Sequence, residues 1–250
     1  MVVSFTSFIR RFSLFKHLMI QLIYSPKWFY GKDIVIDVVS MLVLLLIAYF
    51  SIRYYEIDKR KNYLFLALSF VIMAVSFIFK IITNFTLYSS IIRTAQFGAL
   101  TFIYPSLQSS DILFTVGFLI HRILMLLGLL LLYSIYTKTN RSSLFIITYL
   151  ILISTYFSWP AYYLFHLTSL IFLYFITLHY WNSYKRIKHD TNRWLLYSFS
   201  LITLSEIVFI FIGIEEELYV AAEAIQLLGY IALLVTFVKV LKDGKKKRTK

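Results

Sequence analysis

Long apolar runs, cut at short intervals by polar clusters, dominate this chain. Seven runs stand out, at about 34–54, 62–86, 112–136, 142–158, 160–182, 193–213 and 217–240. Each meets or approaches the roughly 20 residues needed to cross the hydrocarbon core of a bilayer. The pattern predicts an all-α polytopic membrane protein, a bundle of seven transmembrane helices. The fourth run, SSLFIITYLILISTYFS, is the shortest. WPAYYLF follows it at once, and Pro160 suits the first turn of a new helix. Runs four and five therefore form a tight antiparallel hairpin. The connection at 88–110 is the longest internal one and reads as an outer loop carrying one short surface helix.

Residues 1–31 are patterned differently. On a helical wheel Phe5, Phe8, Phe12, Phe15, Met19 and Ile23 share one side, and Thr6, Arg10, His17 and Gln21 share the other. Charges interrupt the segment too often for a span, so it reads as an amphipathic interfacial helix. Three regions result: this segment at 1–31, the helical domain at 32–242 and a basic tail at 243–250. The tail, DGKKKRTK, is expected to be solvated and unstructured, and able to touch anionic lipid headgroups.

Composition agrees with lipid as the main solvent. Hydrophobic residues make up 60% of the 250 and charged residues only 15%, against about 25% charged in soluble domains. The net charge of +13 matters through its position along the chain. Seventeen Lys and Arg fall on alternate connections and the C-terminal end, six fall on the other set, and five of those six precede the first run. Basic loops stay in the cytoplasm. The predicted topology in the cell membrane thus has its N-terminus outside and its C-terminus in the cytoplasm, and nucleic acid is not an expected partner. The outer side carries GIEEEL, with Glu215, Glu216 and Glu217 in one turn. Tyr and Trp gather at both predicted boundaries, as interfacial aromatics do.

The informative residues are the polar ones inside the runs. A charge near the centre of a spanning helix costs about 2.5–3.5 kcal/mol on insertion scales. Asp37, Lys80, His121, Arg122, His166, Glu206, Glu223 and Gln226 all occupy such positions. At about 1.5 Å per residue they fall within roughly 15 Å of the outer surface. The inner halves hold almost no ionisable groups before His179 and Lys239. Ser69, Ser76, Lys80 and Thr83 share one face of the second run, and Tyr219, Glu223, Gln226 and Tyr230 share one face of the seventh. His121 and Arg122 diverge by about 100° on the third. Arg122 is expected to face Glu206 or Glu223. The eight residues are read either as an internal ion-pair network bracing the bundle or as the lining of a ligand pocket in the outer half.

Other chemistries fit less well. With no cysteine, thiolate metal sites, disulfides and cysteine nucleophiles are excluded. His121, His166 and Glu206 could supply three metal ligands, but no HExxH-like spacing is present and Arg122 would repel a cation. An axial histidine pair for haem is the other cofactor arrangement weighed. No cofactor and no metal are expected, no catalytic residues are assigned, and no phosphate-binding loop is present. Apolar inner halves argue against a continuous ion pathway.

Span count and orientation resemble those of seven-helix membrane receptors and rhodopsin-like proteins, and of stand-alone seven-helix sensor domains of prokaryotes. The resemblance covers architecture. The last run, LYVAAEAIQLLGYIALLVTFVKV, has no lysine before Lys239, unlike microbial retinal proteins. The inner end of the third reads LLYSIYTK, without an Asp-Arg-Tyr triplet. The expected function is a sensor or receptor-like module binding a small molecule or lipid. The alternative is a small-solute transporter or an accessory subunit with a membrane or cytoplasmic protein partner.

Overall fold

A computed structural model describes residues 25–96, 106–137, 140–158 and 161–248. The expected amphipathic helix of the first 31 residues lies almost wholly outside them; only its last residues, from Ser25, are described. Within the described residues the chain is all-helical: a 3-10 turn at Lys27–Phe29 and seven α-helices, without a strand. The helices are α1 Lys32–Asp58, α2 Lys61–Gln96, α3 Ser106–Tyr136, α4 Arg141–Phe157, α5 Tyr163–Ile187, α6 Asp190–Ile210 and α7 Glu217–Arg248. All but α4 are long and apolar enough to cross a membrane.

Two boundaries differ from expectation. Much of the segment 88–110 is helical, because α2 continues to Gln96 and α3 starts at Ser106. The basic tail extends α7 to Arg248 rather than leaving it. Lys and Arg are good helix formers, and adding residues to an existing helix avoids the cost of nucleation.

Six helices close a ring in the order α1, α2, α3, α5, α6, α7, with α7 returning to α1. The short α4 packs outside it, against α3 and α5. The exterior is apolar, as in Leu46, Leu64, Phe85, Phe145 and Ile171. The interior at one end of the ring is filled by Leu44, Ile47, Phe70, Leu126, Leu129, Leu173, Ile176 and Leu233. Connections at that end are tight: Lys59 and Lys188 adopt left-handed φ of 55° and 49° to stop α1 and α5. The His189 side chain then caps α6 by accepting from the Thr191 amide. Aromatics cluster here as expected of a boundary: Tyr54 stacks on Tyr63, Tyr136 hydrogen-bonds Tyr180, and Lys239 lies over Trp194.

The α2–α3 contact shows how the small residues are used. Ser69, Ser76 and Thr83, seven apart, meet Gly128, Met125 with His121, and Gly117 in antiparallel register. Ser69 Oγ donates to the Gly128 carbonyl at 2.7 Å, while Thr83 donates back to Phe79 within its own helix. These hydroxyls are thus satisfied at a helix interface and form a close-packing seam rather than the polar face their spacing suggested. A Cβ on Gly128 would overlap Met73 Cγ and come within 3.2 Å of the Ser69 carbonyl.

Gly128→Val should therefore separate α2 from α3 and cost about 1–3 kcal/mol. Phe145→Leu, on an outward face that is 75% exposed, should change stability little. Thermal unfolding of both variants in detergent checks this; equal stabilities would mean the seam is not close-packed.

Candidate functional site

At the other end of the ring, where α1, α3, α5 and α7 begin, polar side chains replace the apolar filling. Lys80 of α2 points inward and its Nζ donates to Asp37 Oδ1 of α1 at 2.7 Å and to Glu223 Oε1 of α7 at 2.6 Å. Both carboxylates are buried, at 0% and 1% exposure. One ammonium thus ties together three helices far apart in sequence. Asn84, one turn on from Lys80, reaches Asp37 Oδ2 at 3.4 Å and Asp33 Oδ2 at 3.3 Å.

A second group joins α5, α6 and α7. His166 Nδ1 lies 2.8 Å from Glu206 Oε2, and Gln226 Nε2 donates to Glu206 Oε1 at 3.5 Å. The His166 ring stacks on Phe209 at 4.7 Å. One turn further in from Gln226, Tyr230 is fully buried.

His121 and Arg122 do face different neighbours. His121 Nδ1 lies 2.9 Å from the Ser76 carbonyl of α2. A carbonyl only accepts, so Nδ1 carries the hydrogen. Arg122 turns toward α4 and α5. It donates to the Ser158 carbonyl at 2.7 Å, with its guanidinium 3.8 Å from the Phe118 ring centre and 5.0 Å from that of Phe165. This corrects the expected pairing of Arg122 with Glu206 or Glu223: Lys80 holds Glu223, and His166 with Gln226 holds Glu206. The reason lies in α4. It ends at Phe157, with Ser158 buried, so its last carbonyls are short of backbone donors. Arg122 meets one of them, and its charge suits the negative end of the helix.

Between these groups lies a cavity of about 140 Å³. Lys80, His121, Arg122, His166, Glu206, Glu223 and Gln226 all line it; Asp37 sits behind Lys80. The structure therefore gathers the eight sequence-selected residues around one space. Sequence reasoning missed Asn84 and Asp33, which were legible one turn from Lys80 and Asp37, and the aromatic walls Phe118 and Phe165. Tyr162, one of the tyrosines at the predicted outer boundary, also lines the cavity. Its hydroxyl donates to the Ile210 carbonyl at 3.0 Å and accepts from the Gly213 amide at 2.9 Å, capping α6 beside the cavity.

At the rim, Trp28 Nε1 donates to Glu217 Oε1 at 3.0 Å, and Phe29 packs edge-on to Tyr219. The acidic turn thus docks the segment preceding α1. Burial, helped by Glu216 and Asp33, raises the pKa of the nearby Tyr30 hydroxyl above its ordinary value. Among the described residues no cluster of His, Asp and Glu is arranged to hold a metal ion.

No protein-family model, no curated protein and no solved structure matches this chain.

Removing one partner of a buried ion pair costs about 3–5 kcal/mol, because the other charge is left buried alone. Lys80→Met should approach that loss. Combining it with Asp37→Asn and Glu223→Gln should recover most of it. Unfolding of the single and triple variants in detergent measures the coupling, and simple additivity would rule out the shared ammonium. Arg122→Leu should cost about 1.5–3 kcal/mol, the range for a hydrogen bond to a charged group, read as earlier loss of helical signal on heating.

Proposed function

We propose that this is a seven-crossing integral membrane protein of the sensor or receptor-like class, with a small-ligand pocket in the outer half of the bilayer. The observation that carries the reading is the cavity itself. Five of the six ring helices contribute polar or charged lining, and α1 adds Asp37 behind Lys80. A brace alone needs no such space, since charges that only hold helices together are better served by tight contact.

Two features favour binding over conduction. The other half of the ring is packed with fully buried apolar side chains such as Phe70, Leu126, Leu129 and Leu233, and Tyr230 lies just beneath the cavity. A ligand entering from the polar end would meet a closed floor. It would contact several helices at once, which is how a ligand with unequal affinity for two helix arrangements shifts their populations.

The seventh crossing rests on chain direction. α3 and α5 run parallel: Arg122 and His121 are level with Phe165, Tyr133 with Phe172, and Tyr136 with Tyr180. α4 must carry the chain back between them, although it has only 17 residues. With the basic connections at Lys59 and Lys188 in the cytoplasm, the pocket end is outside.

The absence of cysteine makes topology directly measurable. Single cysteines replacing Glu216 and Gly213 should react with an impermeant maleimide on intact cells. Those replacing Asn140 and Lys188 should react only after permeabilisation. Labelling of Asn140 and Gly213 positions from the same side would defeat the seven-crossing topology. For the pocket, a ligand found by thermal-shift screening should bind saturably without crossing protein-containing liposomes. Gln226→Ala should weaken that binding about tenfold. Measured flux of the ligand would replace the sensor reading with a transporter.

A further inference from the structure

The outward face between α5 and α6 carries a groove of about 330 Å³, separate from the cavity inside the ring. Tyr174, Thr177 and Trp181 of α5 form one wall, and Leu196, Tyr197 and Ser200 of α6 form the other. The three large aromatics are exposed, and Thr177 already shares its hydroxyl with Thr203 at 3.0 Å. The groove therefore offers a guest chiefly carbon. Positions 174, 177, 181 and 185 recur at helical spacing, so Lys185 stands on the same face of α5, one turn beyond Trp181. Arg193 stands in the same relation to Tyr197 on α6. The tight turn at Lys188 joins the two helices and brings both cations to one end of the groove.

That end suits an anion. Lys185 Nζ lies 4.8 Å from the Trp181 ring centre. Arg193 Nε donates to the Tyr197 hydroxyl at 3.2 Å, with its guanidinium 5.5 Å from that ring centre. Each cation is thus laid on an aromatic that lines the groove. Arg186 and Lys188 add charge beside them, against one acidic residue in the connection, Asp190. Among the described residues none of these four cations forms an ion pair. The connection between α1 and α2 differs. Arg53 stands on Tyr49 in the same way, but Glu56 takes it at 3.1 Å, and Asp58 takes Arg60 at 3.1 Å. Membrane orientation needs only positive charge in a connection. It does not need that charge unpaired and stacked at the mouth of an outward-facing groove.

We infer that this groove holds an anionic phospholipid from the leaflet on its side, the cytoplasmic one in the topology proposed above. One acyl chain lies along Tyr174, Trp181 and Tyr197, and the phosphate sits between Lys185 and Arg193. Tyr174 and Trp181 are seven residues apart on α5, so the walls follow about 10 Å of that chain. Charge selects the guest: unpaired cations between helices at the cytoplasmic boundary attract acidic headgroups over zwitterionic ones. The site stands apart from the inner cavity and does not depend on what fills it.

Native mass spectrometry of the full chain released from detergent, titrated with dioleoyl phosphatidylglycerol or dioleoyl phosphatidylcholine, tests this. Phosphatidylglycerol should bind about tenfold tighter or more, with two basic residues beside its phosphate. Lys185→Gln combined with Arg193→Gln should bring the two lipids to within about threefold of each other. Arg60→Gln combined with Lys61→Gln removes the same charge from the other connection and should leave the preference as it was. Ser200→Trp keeps every charge, fills the groove and should displace both lipids. Equal binding of the two lipids by the native chain overturns the inference. So does a preference that survives the Lys185 and Arg193 changes, or one lost as fully through Arg60 and Lys61. Phosphatidylglycerol binding untouched by Ser200→Trp overturns the groove. Tight binding of cholesterol, displaced by Ser200→Trp and without any phosphatidylglycerol preference, replaces the phospholipid with a sterol.

Discussion

The fold turns on one ammonium group. Lys80 lies between Asp37 and Glu223, and through them α2 holds the first and last helices of the ring together. Hydrophobic association cannot do this within a bilayer, because lipid tails solvate an apolar helix face as well as another helix does. Ring closure therefore needs directional contacts. Here they come at two levels: the Lys80 bridge within the ring, and Trp28 with Phe29 against Glu217 and Tyr219 at its rim. The remaining seams use close approach, as at Gly128 and Ser69, or shared hydroxyls, as at Thr177 and Thr203.

The adjacent His121 and Arg122 do two separate jobs. Neighbours on a helix point about 100° apart, so one residue serves the α2 seam and the other the end of α4. Arg122 also presses its guanidinium between two aromatic rings, a contact that a lysine ammonium makes less well. The cavity exists because these side chains are held outward, each on a neighbour, rather than collapsed on one another.

Much of this was legible in the sequence. The apolar runs locate all seven helices, and the shared depth of the eight polar residues anticipates one cluster. What could not be read was who pairs with whom. Sequence periodicity gives the face of a helix but not which helix it meets, so Arg122 was assigned to carboxylates. Its partner is a backbone carbonyl, a group that every residue carries and that no composition reveals. The clue was local: Pro160 cannot continue α4, so a helix end had to be accommodated beside α3. The Ser69, Ser76 and Thr83 stripe misled for a related reason. Small hydroxyl residues mark a polar surface in water, but in lipid they mark where backbones touch.

The proposed crossing by α4 has a consequence for the lipid around it. Its 17 residues span about 26 Å at 1.5 Å each, against about 30 Å of hydrocarbon in an average bilayer. As the proposed seventh crossing, it would present lipids with a shorter apolar wall than the other six helices do. The annulus would then thin there by several ångströms or let water descend to Ser158. On that topology the bundle would carry a notch on one flank, beside Arg122.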